Sequence, residues 1–303
     1  MPHSRDALLE KYPMPESENG FPPLVLTFAA SDPSGGAGVQ ADLLTLASMG
    51  CHPLSVITAL TIQDSLGVEG IMAIDSDWVA DQARCLLEDM PVDAFKIGVM
   101  GSVENIAAIA EIVSDYPDIP LILDPVLASG RGDELANEEM SRALRELLLP
   151  QTTILTPNSI EARRLVEADD DDDFTLEQCA MRLLETGCEY VLITGTHEVT
   201  AQVVNTLYGK NGVVRTDTWA RLPGTYHGSG CTLASAIAAM LANGLDPADA
   251  VREAQDYTWQ TLKHAYRPGM GQFIPDRLFW AREEEEARPN DDEVPRPDLR
   301  SGH

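Results

Sequence analysis

Basic residues are scarce in this sequence. Its 303 residues include 21 lysines and arginines against 49 aspartates and glutamates, which gives a formal net charge of −28 at pH 7. Such a chain repels the phosphates of nucleic acids and anionic membrane surfaces, so we expect neither as a partner. An acid-rich surface also suits a protein kept soluble in concentrated salt. Salt adaptation is therefore a hypothesis, which activity measurements in high KCl would test.

Long apolar runs and paired cysteines are also missing. No stretch of about 18 apolar residues occurs, so the sequence predicts no membrane-spanning helix. The five cysteines are odd in number and show no metal-binding spacing: Cys51, Cys85, Cys179, Cys188 and Cys231. Free thiols fit a reducing compartment better than a disulfide framework or a zinc site. We therefore expect a cytoplasmic protein.

What the sequence does contain is an alternation of short apolar runs with helical periodicity. Six runs are apolar along their whole length, as in a parallel sheet covered on both faces: Leu24–Ala30, Ser55–Ile62, Ala94–Gly98, Pro120–Leu123, Thr153–Leu155 and Tyr190–Ile193. Helices are predicted at about 38–49, 77–88, 103–114, 137–148, 159–167, 175–186, 230–243 and 247–265. Ala201–Tyr208 and Val213–Thr216 are predicted to form a hairpin. The pattern predicts an α/β domain with a mostly parallel sheet.

The two ends of the chain differ from this pattern. Residues 1–20 are polar and proline-containing and are expected to form a flexible extension, whereas residues 283–303 are acidic and proline-rich and are expected to be disordered. Residues 21–282 then form a single domain. The run Asp169–Asp173 is either a cation site or, as we favour, a solvated connector.

The most informative stretch is His227-Gly228-Ser229-Gly230-Cys231, which leads into a helix of small residues. Glycines around a serine let several amide N–H groups point at one place, and the helix dipole favours an anion there. The stretch is either an anion site for phosphoryl or acyl transfer, with Cys231 as base or nucleophile, or a capped helix start. His227 is either a base or a structural residue.

Two further strand ends suggest a site for a small molecule. The first run leads into Asp32-Pro-Ser-Gly-Gly-Ala-Gly38, a glycine-rich loop without the spacing of a P-loop. We interpret it as a close-approach loop around Gly36, with Asp42 either a hydrogen-bond acceptor for the ligand or a solvated carboxylate. Gln63 ends the second run, and its planar amide suits the edge of a heterocycle, although a lone glutamine is also common on surfaces.

Later strand ends carry candidate groups for a metal and a nucleotide. Asp124 follows one strand, and Asn158 and Glu161 lie one helical turn apart after the next. Together with Asp124 they are suited to hold Mg²⁺ and to orient phosphate oxygens, or they form a capping box. Thr194 and Gly195 form a small-residue turn that a nucleotide can approach closely.

Six motifs in order resemble the hydroxymethylpyrimidine/phosphomethylpyrimidine kinases. They are DPSGGAGVQADL (Asp32–Leu43), SVITALTIQD (Ser55–Asp64), KIGVMGS (Lys96–Ser102), LDPV (Leu123–Val126), LTPNSIEA (Leu155–Ala162) and HGSGCTLASAIAA (His227–Ala239). The resemblance covers about Leu24 to Pro275. It implies a ribokinase-like three-layer fold and ATP-dependent, Mg²⁺-assisted phosphorylation of 4-amino-5-hydroxymethyl-2-methylpyrimidine and then of its monophosphate, in thiamine biosynthesis. A homodimer is expected.

The resemblance also implies roles for individual residues. Gln63 reads the aminopyrimidine edge, with Asp42 and Gly36 against the substrate. Asn158 and Glu161 join Asp124 in the Mg²⁺–phosphate cluster. Gly228, Ser229 and Gly230 form the anion hole, and Cys231 occupies the place of the catalytic aspartate of related sugar kinases. There it is either a proton acceptor or a neutral hydrogen-bonding group.

The sequence departs from the family's pattern at two places. Thr194-Gly195-Thr196-His197 stands where many members have Lys-Gly-Gly-His, so a phosphate-facing charge is lost unless Arg131 or Lys96 replaces it. Val99 stands where a methionine is frequent in the wall of the pyrimidine pocket. The nearest alternative is a pyridoxal kinase, alone or with dual activity. A more remote one is a non-catalytic sensor of pyrimidine or nucleotide.

Overall fold

The computed structural model describes residues 20–128, 132–133, 135–166 and 174–286. Nine strands in these residues form one sheet in the order β3-β2-β1-β4-β5-β6-β7-β8-β9. They are β1 (Leu24–Ser31), β2 (His52–Gln63), β3 (Val68–Ala73), β4 (Ala94–Ile97), β5 (Leu121–Leu123), β6 (Ile154–Leu155), β7 (Tyr190–Ile193), β8 (Gln202–Gly209) and β9 (Gly212–Ala220). The neighbours from β2 to β7 pair in parallel, whereas β3, β8 and β9 join antiparallel.

Helices cover both faces of this sheet. They are α1 (Gly38–Ser48), α2 (Ser76–Asp89), α3 (Val103–Ser114), α4 (Glu138–Ala143), α5 (Ser159–Leu165), α6 (Leu176–Glu185), α7 (Ser229–Ala242), α8 (Pro247–Lys263) and α9 (Phe279–Glu286). Helix α4 continues through a π-helical turn at Leu144–Leu148.

Residues of β1 alternate between two cores, as the period of two in a strand requires. Leu26 and Phe28 lie in one core, with apolar residues of α2, α3, α5 and α6. Val25 lies in the other core, with residues of α1, α7 and α8. The result is the three-layer α/β arrangement expected from the sequence.

The six predicted strands and the hairpin are confirmed, with ends shifted by a few residues. Strand β3 was missed. Its sequence Val-Glu-Gly-Ile-Met-Ala contains a glycine and does not alternate, and most of its residues are exposed because it lies at the edge of the sheet. The predicted helices are confirmed as well, and α9 was not predicted.

Helix α9 runs on to Glu286, beyond the predicted end of the domain at residue 282, and the domain boundary stays a prediction. Phe279 anchors the helix: the ring is 4% exposed, packs in the second core and stacks on His264. Residues 1–19 and 287–303 lie outside the described residues. So do the Asp169–Asp173 run and Arg131, and the predictions on them stay predictions. Across the described helices, none has the length and apolar character needed to cross a membrane.

Candidate active site

The candidate residues come together because parallel strands place their carboxyl ends along one edge of the sheet. Strand β1 leads into the loop of residues 32–37, and β2 ends at Gln63. Asp124 directly follows β5, and Thr194 directly follows β7. The start of α7 packs against the first of these loops, so the glycine-rich loop and the predicted anion hole face each other.

We call Gly228, Ser229 and Gly230 the anion-binding turn. Gly228 has φ +80°, a left-handed conformation that favours glycine, and α7 begins at the next residue. A Cβ at Gly228 would collide with the carbonyl oxygen of Gly36. Gly230 is exposed, while Gly228 and Ser229 are half-buried. The open N-terminus of a 14-residue helix therefore lies beside the glycine-rich loop, as predicted for an anion site.

His227 connects this turn to Gln63. Its Nε2 lies 2.8 Å from Asp32 Oδ2 and 3.0 Å from Gln63 Nε2. A proton on Nε2 is donated to the Asp32 carboxylate, whereas in the other tautomer Nε2 accepts from the Gln63 amide. The Gly36 backbone lies against the imidazole so closely that a Cβ there would collide with the ring. His227 therefore orients the amide predicted to read the heterocycle.

Asp32 organises the glycine-rich loop from inside. Its carboxylate accepts hydrogen bonds from the amides of Ser34 at 2.8 Å and Ala37 at 2.7 Å, and from the Ser34 hydroxyl at 3.0 Å. Burial acts to raise the pKa of Asp32, but the hydrogen bonds from His227, Ala37 and Ser34 outweigh it and lower the pKa to about 2. Sequence reasoning missed the role of Asp32, although an aspartate before a Ser-Gly-Gly turn is a signal for such a loop.

Asp42, predicted to lie against the substrate, has a carboxylate that is 0% exposed and is held by side chains of the protein itself. It accepts from Lys96 Nζ at 2.9 Å on both oxygens, from Thr27 Oγ1 at 2.6 Å and from Ser235 Oγ at 2.7 Å. Lys96 is also 0% exposed. Burial lowers the pKa of Lys96, but the Asp42 charge more than reverses this, so the ammonium stays charged. Lys96 is thus bound to Asp42 and does not replace the missing phosphate-facing lysine.

Asp124 and Cys231 lie next to the anion-binding turn. A Cβ at Gly230 would meet the Asp124 carboxylate at 3.8–3.9 Å, and Asp124 and Cys231 lie close enough to influence each other's pKa. Burial raises the pKa of Cys231 to about 12, even though Lys96 acts in the opposite direction. A helix start alone lowers the pKa of a cysteine, so burial is the stronger effect here. At neutral pH Cys231 is therefore a neutral thiol.

Asp124 and Glu161 fit a site for Mg²⁺. Asp124 Oδ2 is buried without a hydrogen-bond partner in the described residues. Burial raises the pKa of Asp124 to about 6 and that of Glu161 to about 8, and in Glu161 the charge of Asp124 adds to the rise. No group of three or more His, Cys, Asp or Glu side chains placed to hold a metal occurs in the described residues. Mg²⁺ is commonly held by only one or two carboxylates together with phosphate oxygens and water, so this pair is sufficient.

Asn158 forms a capping box with Glu161, which was one of the two roles that the sequence suggested for it. Its Oδ1 accepts from the amides of Ile160 and Glu161 at 2.9 Å, and Glu161 Oε2 accepts from the Asn158 amide at 3.0 Å. The turn after β7 lies beside it, since the Ser159 amide donates to the Thr194 carbonyl at 3.1 Å. The structure therefore brings Asn158, Glu161 and Thr194 together.

Gly195 is packed against the neighbouring strand and is not open to a ligand. It is buried, its amide donates to Asn205 Oδ1 at 3.0 Å, and a Cβ there would collide with the carbonyl oxygen of Val204. Its amide is therefore already used and is not offered to a nucleotide. Val99 is half-buried at the end of β4, and its carbonyl accepts from Thr58 Oγ1 at 2.5 Å.

Arginine 221 is a residue that sequence reasoning missed. The guanidinium of Arg221 donates to the carbonyls of Thr196 at 2.8 Å, Glu198 at 3.0 Å and Thr200 at 3.1 Å. It thereby fixes the segment 196–200, which directly follows the turn at Thr194. A single arginine after a strand gives no sequence signal for this role, because its three acceptors are backbone oxygens.

Comparisons with known proteins agree with this geometry. The profile of the family described as phosphomethylpyrimidine kinase matches residues 32–276. A hydroxymethylpyrimidine/phosphomethylpyrimidine kinase of Streptomyces coelicolor is 38% identical over 254 residues, which cover 82% of this chain and 92% of that protein. A thiamine biosynthesis bifunctional protein of Geobacter sulfurreducens is 38% identical over 247 residues, and the chain spans only 50% of its length.

Among solved structures, pyridoxal kinase from Staphylococcus aureus in complex with AMP-PCP and pyridoxal is similar in fold. Its TM-score is 0.78 at 27% sequence identity, and the match covers 87% of this chain and 96% of that one.

Proposed function

The chain belongs to the phosphomethylpyrimidine kinase family, and we propose that it transfers the γ-phosphate of ATP to two acceptors in turn. The first is the hydroxymethyl group of 4-amino-5-hydroxymethyl-2-methylpyrimidine, and the second is the phosphate of the resulting monophosphate. The product is the diphosphate used in thiamine biosynthesis.

One observation carries this proposal: Gln63 Nε2 lies 3.0 Å from His227 Nε2, and His227 is directly followed in the chain by the anion-binding turn. The amide that is suited to the edge of an aminopyrimidine is thereby tied to the amides that are suited to the transferred phosphate. Phosphoryl transfer requires the pyrimidine and the transferred phosphate to be held next to each other, because positioning and charge stabilisation supply most of its catalysis.

In this mechanism the chain's own residues position groups and stabilise charge. The amides of Gly228, Ser229 and Gly230 donate to the oxygens on which charge develops, and each well-placed donor is worth about 10²–10³ in rate. Gln63 orients the pyrimidine, with Gly36 beside it. Cys231 is a neutral thiol beside the turn. A loose transition state needs little help from a base, so a thiol with a pKa of about 12 is compatible with turnover.

We place Mg²⁺ at Asp124 and Glu161 and the nucleotide near Asn158 and Thr194. The ion neutralises phosphate charge when it is bound. Asp124 contributes its unpartnered Oδ2 and lies beside the turn at Gly230. In the capping box the Glu161 carboxylate accepts a hydrogen bond from the Asn158 amide, which fixes the orientation of the Glu161 side chain.

A coupled ADP-release assay tests the proposal with three acceptors: the pyrimidine alcohol, its monophosphate and pyridoxal. We expect Mg²⁺-dependent ADP release with both pyrimidines. The variant Asp124→Asn should lose Mg²⁺-dependent turnover, while Asp81→Asn on the outer surface of α2 serves as the matched control. Binding of ATP and pyrimidine without ADP release would identify a sensor instead and overturn the proposal.

Pyridoxal phosphorylation is the second candidate, favoured by the structural similarity to a pyridoxal kinase that was solved with its substrate. The identity is higher to the Streptomyces pyrimidine kinase, at 38% against 27%. A kcat/KM for pyridoxal at least about tenfold above that for the pyrimidine alcohol, equivalent to about 1.4 kcal/mol in transition-state binding, would reverse the order.

We further propose a homodimer formed through the edge of the sheet at β3. Leu60 and Ile62 of β2 share one face with Met72 of β3, and they are 42%, 67% and 59% exposed. An unpaired edge strand with an apolar face is a common place for a second copy to pair. Light scattering of the wild type and of Ile62→Glu tests this, with a dimer-to-monomer shift expected. A wild-type monomer would overturn it. A cytoplasmic location and the lack of nucleic-acid partners stay predictions.

A further inference from the structure

A buried arginine lies behind the proposed phosphate site. Arg277 is 3% exposed. Its Nη2 donates to the carbonyl of Gly36 at 2.6 Å, its Nη1 reaches the carbonyl of Gly35 at 3.5 Å, and its Nε donates to Thr232 Oγ1 at 3.1 Å. The guanidinium therefore joins the glycine-rich loop to the first turn of α7, the helix that begins with the anion-binding turn.

Each of these acceptors is an uncharged oxygen, and no ion pair of Arg277 is formed with the residues that the structure describes. The adjacent carboxylate of Asp276 is bound to Arg282 Nε at 2.6 Å. A buried cation without a paired anion is costly. Its charge lies next to the turn where the proposed phosphoryl group, which is an anion, would bind.

The backbone around Arg277 is fixed from several directions. Ser48 Oγ and Tyr257 OH both donate to its carbonyl, at 2.6 Å and 2.9 Å. The preceding residues, 265–276, form a segment that we call the C-terminal strap. Its Phe273 carbonyl accepts from the His227 amide at 2.8 Å. The strap thus fixes the position of the Arg277 guanidinium and also hydrogen-bonds the backbone of His227.

We propose that Arg277 is a positioning residue for phosphoryl transfer. It holds the Gly36 carbonyl against the start of α7 and keeps a positive charge behind the anion-binding turn. This inference rests on the proposed kinase function. Thr232 Oγ1 completes the link, because it also donates to the Gly228 carbonyl at 2.8 Å. The link therefore runs from the loop through the guanidinium to the turn itself.

The test compares Arg277→Met, Arg277→Lys and the surface control Arg84→Gln, at the exposed pair with Glu111, with kcat, both KM values and the thermal midpoint measured for each. Arg277 acts through other groups, so we expect Arg277→Met to lower kcat by about ten- to a hundredfold, less than the loss of a direct donor. The KM for the pyrimidine should change by less than about threefold, as for an interaction made mainly in the transition state. Arg277→Lys keeps the charge and should recover part of the loss.

Arg277→Ala is also assayed with added guanidinium at low millimolar concentration. This assay distinguishes loss of the positioned cation from loss of folded protein. Recovery of kcat supports the proposal. A wild-type kcat in Arg277→Met overturns it, and so does a loss that matches the unfolded fraction or a lysine variant as impaired as the methionine one. All variants are assayed with an acceptor that the wild type phosphorylates. A wild type without ADP release refutes the proposed function instead.

Discussion

The ammonium of Lys96 lies 2.9 Å from both carboxylate oxygens of Asp42, and neither side chain is exposed to solvent. The pair joins β4 to α1 below the glycine-rich loop, and Ser235 connects it to α7. It is therefore a structural centre under the site, where sequence analysis had expected a substrate contact.

Removing one partner of this pair should destabilise the fold. Lys96→Met leaves a buried carboxylate without its cation, and we expect the free energy of unfolding to fall by about 3–5 kcal/mol. Urea denaturation measures this. Arg84→Gln, at the exposed pair with Glu111, is the control and should have a much smaller effect because solvent screens that pair. Equal losses in the two variants would contradict a buried ion pair.

Cys231 should react slowly with alkylating reagents although it lies at the site. The thiolate is the reactive form, and burial raises the pKa of this thiol to about 12. At pH 8, iodoacetamide should modify the exposed Cys85 well before Cys231, as followed by peptide mass spectrometry. Modification of both at the same rate would contradict a raised pKa at Cys231.

The same thiol is expected to matter for turnover. Cys231→Ala removes a polar side chain next to Asp124 and the anion-binding turn, so kcat should fall far more than the substrate KM rises. Steady-state kinetics at saturating ATP measures both constants. Cys85→Ala is the matched control and should leave them unchanged. An unchanged kcat in Cys231→Ala would remove this residue from the mechanism.

Acid should weaken the glycine-rich loop through Asp32. The pKa of this carboxyl is about 2 in the folded chain, against 3.8 for an ordinary aspartate. Its hydrogen-bonded carboxylate therefore contributes stability above about pH 4, up to about 2 kcal/mol, and this is lost as pH falls toward 2. The difference in unfolding free energy between the wild type and Asp32→Asn should shrink from pH 6 to pH 3. A constant difference would count against this linkage.

Gly36→Ala should disturb substrate binding. A Cβ there collides with the His227 ring, which then has to move away from Asp32 and Gln63. Loss of one oriented hydrogen bond is worth about 1 kcal/mol, so we expect the KM for the pyrimidine alcohol to rise by about fivefold or more. In Gly70→Ala the nearest atom is Ile62 Cδ1 at 3.5 Å, and the KM should be unchanged. Equal KM values in the two variants would show that His227 does not influence substrate binding.

The sequence predicted the layers of the fold because buried parallel strands and amphipathic helices leave regular apolar patterns. Strand β3 left none, since it is exposed at the edge and contains Gly70. The residues at strand ends could also be found, because the topology places them at one edge. The burial of Asp42 could not be predicted, since it depends on Lys96 reaching it from another strand.

Arg277 illustrates a second limit of sequence analysis. It lies 241 positions from Gly36 in the chain, and its acceptors are two backbone carbonyls and a hydroxyl. Such contacts leave no residue-type signature at the partner position. The raised pKa of Cys231 has a similar origin, because it comes from burial by elements distant in the chain, which outweighs the local effect of the helix start.

The contact of Gly228 with the Gly36 carbonyl has a consequence for how this enzyme can change its substrate. The two halves of the site meet backbone to backbone, with no room for a side chain between them. Altering their spacing would require rebuilding two loops together. Variation in acceptor preference is therefore expected at the positions whose side chains we propose to face the ligand, Gln63 and Val99, and directed evolution toward a new heterocycle should accumulate changes there.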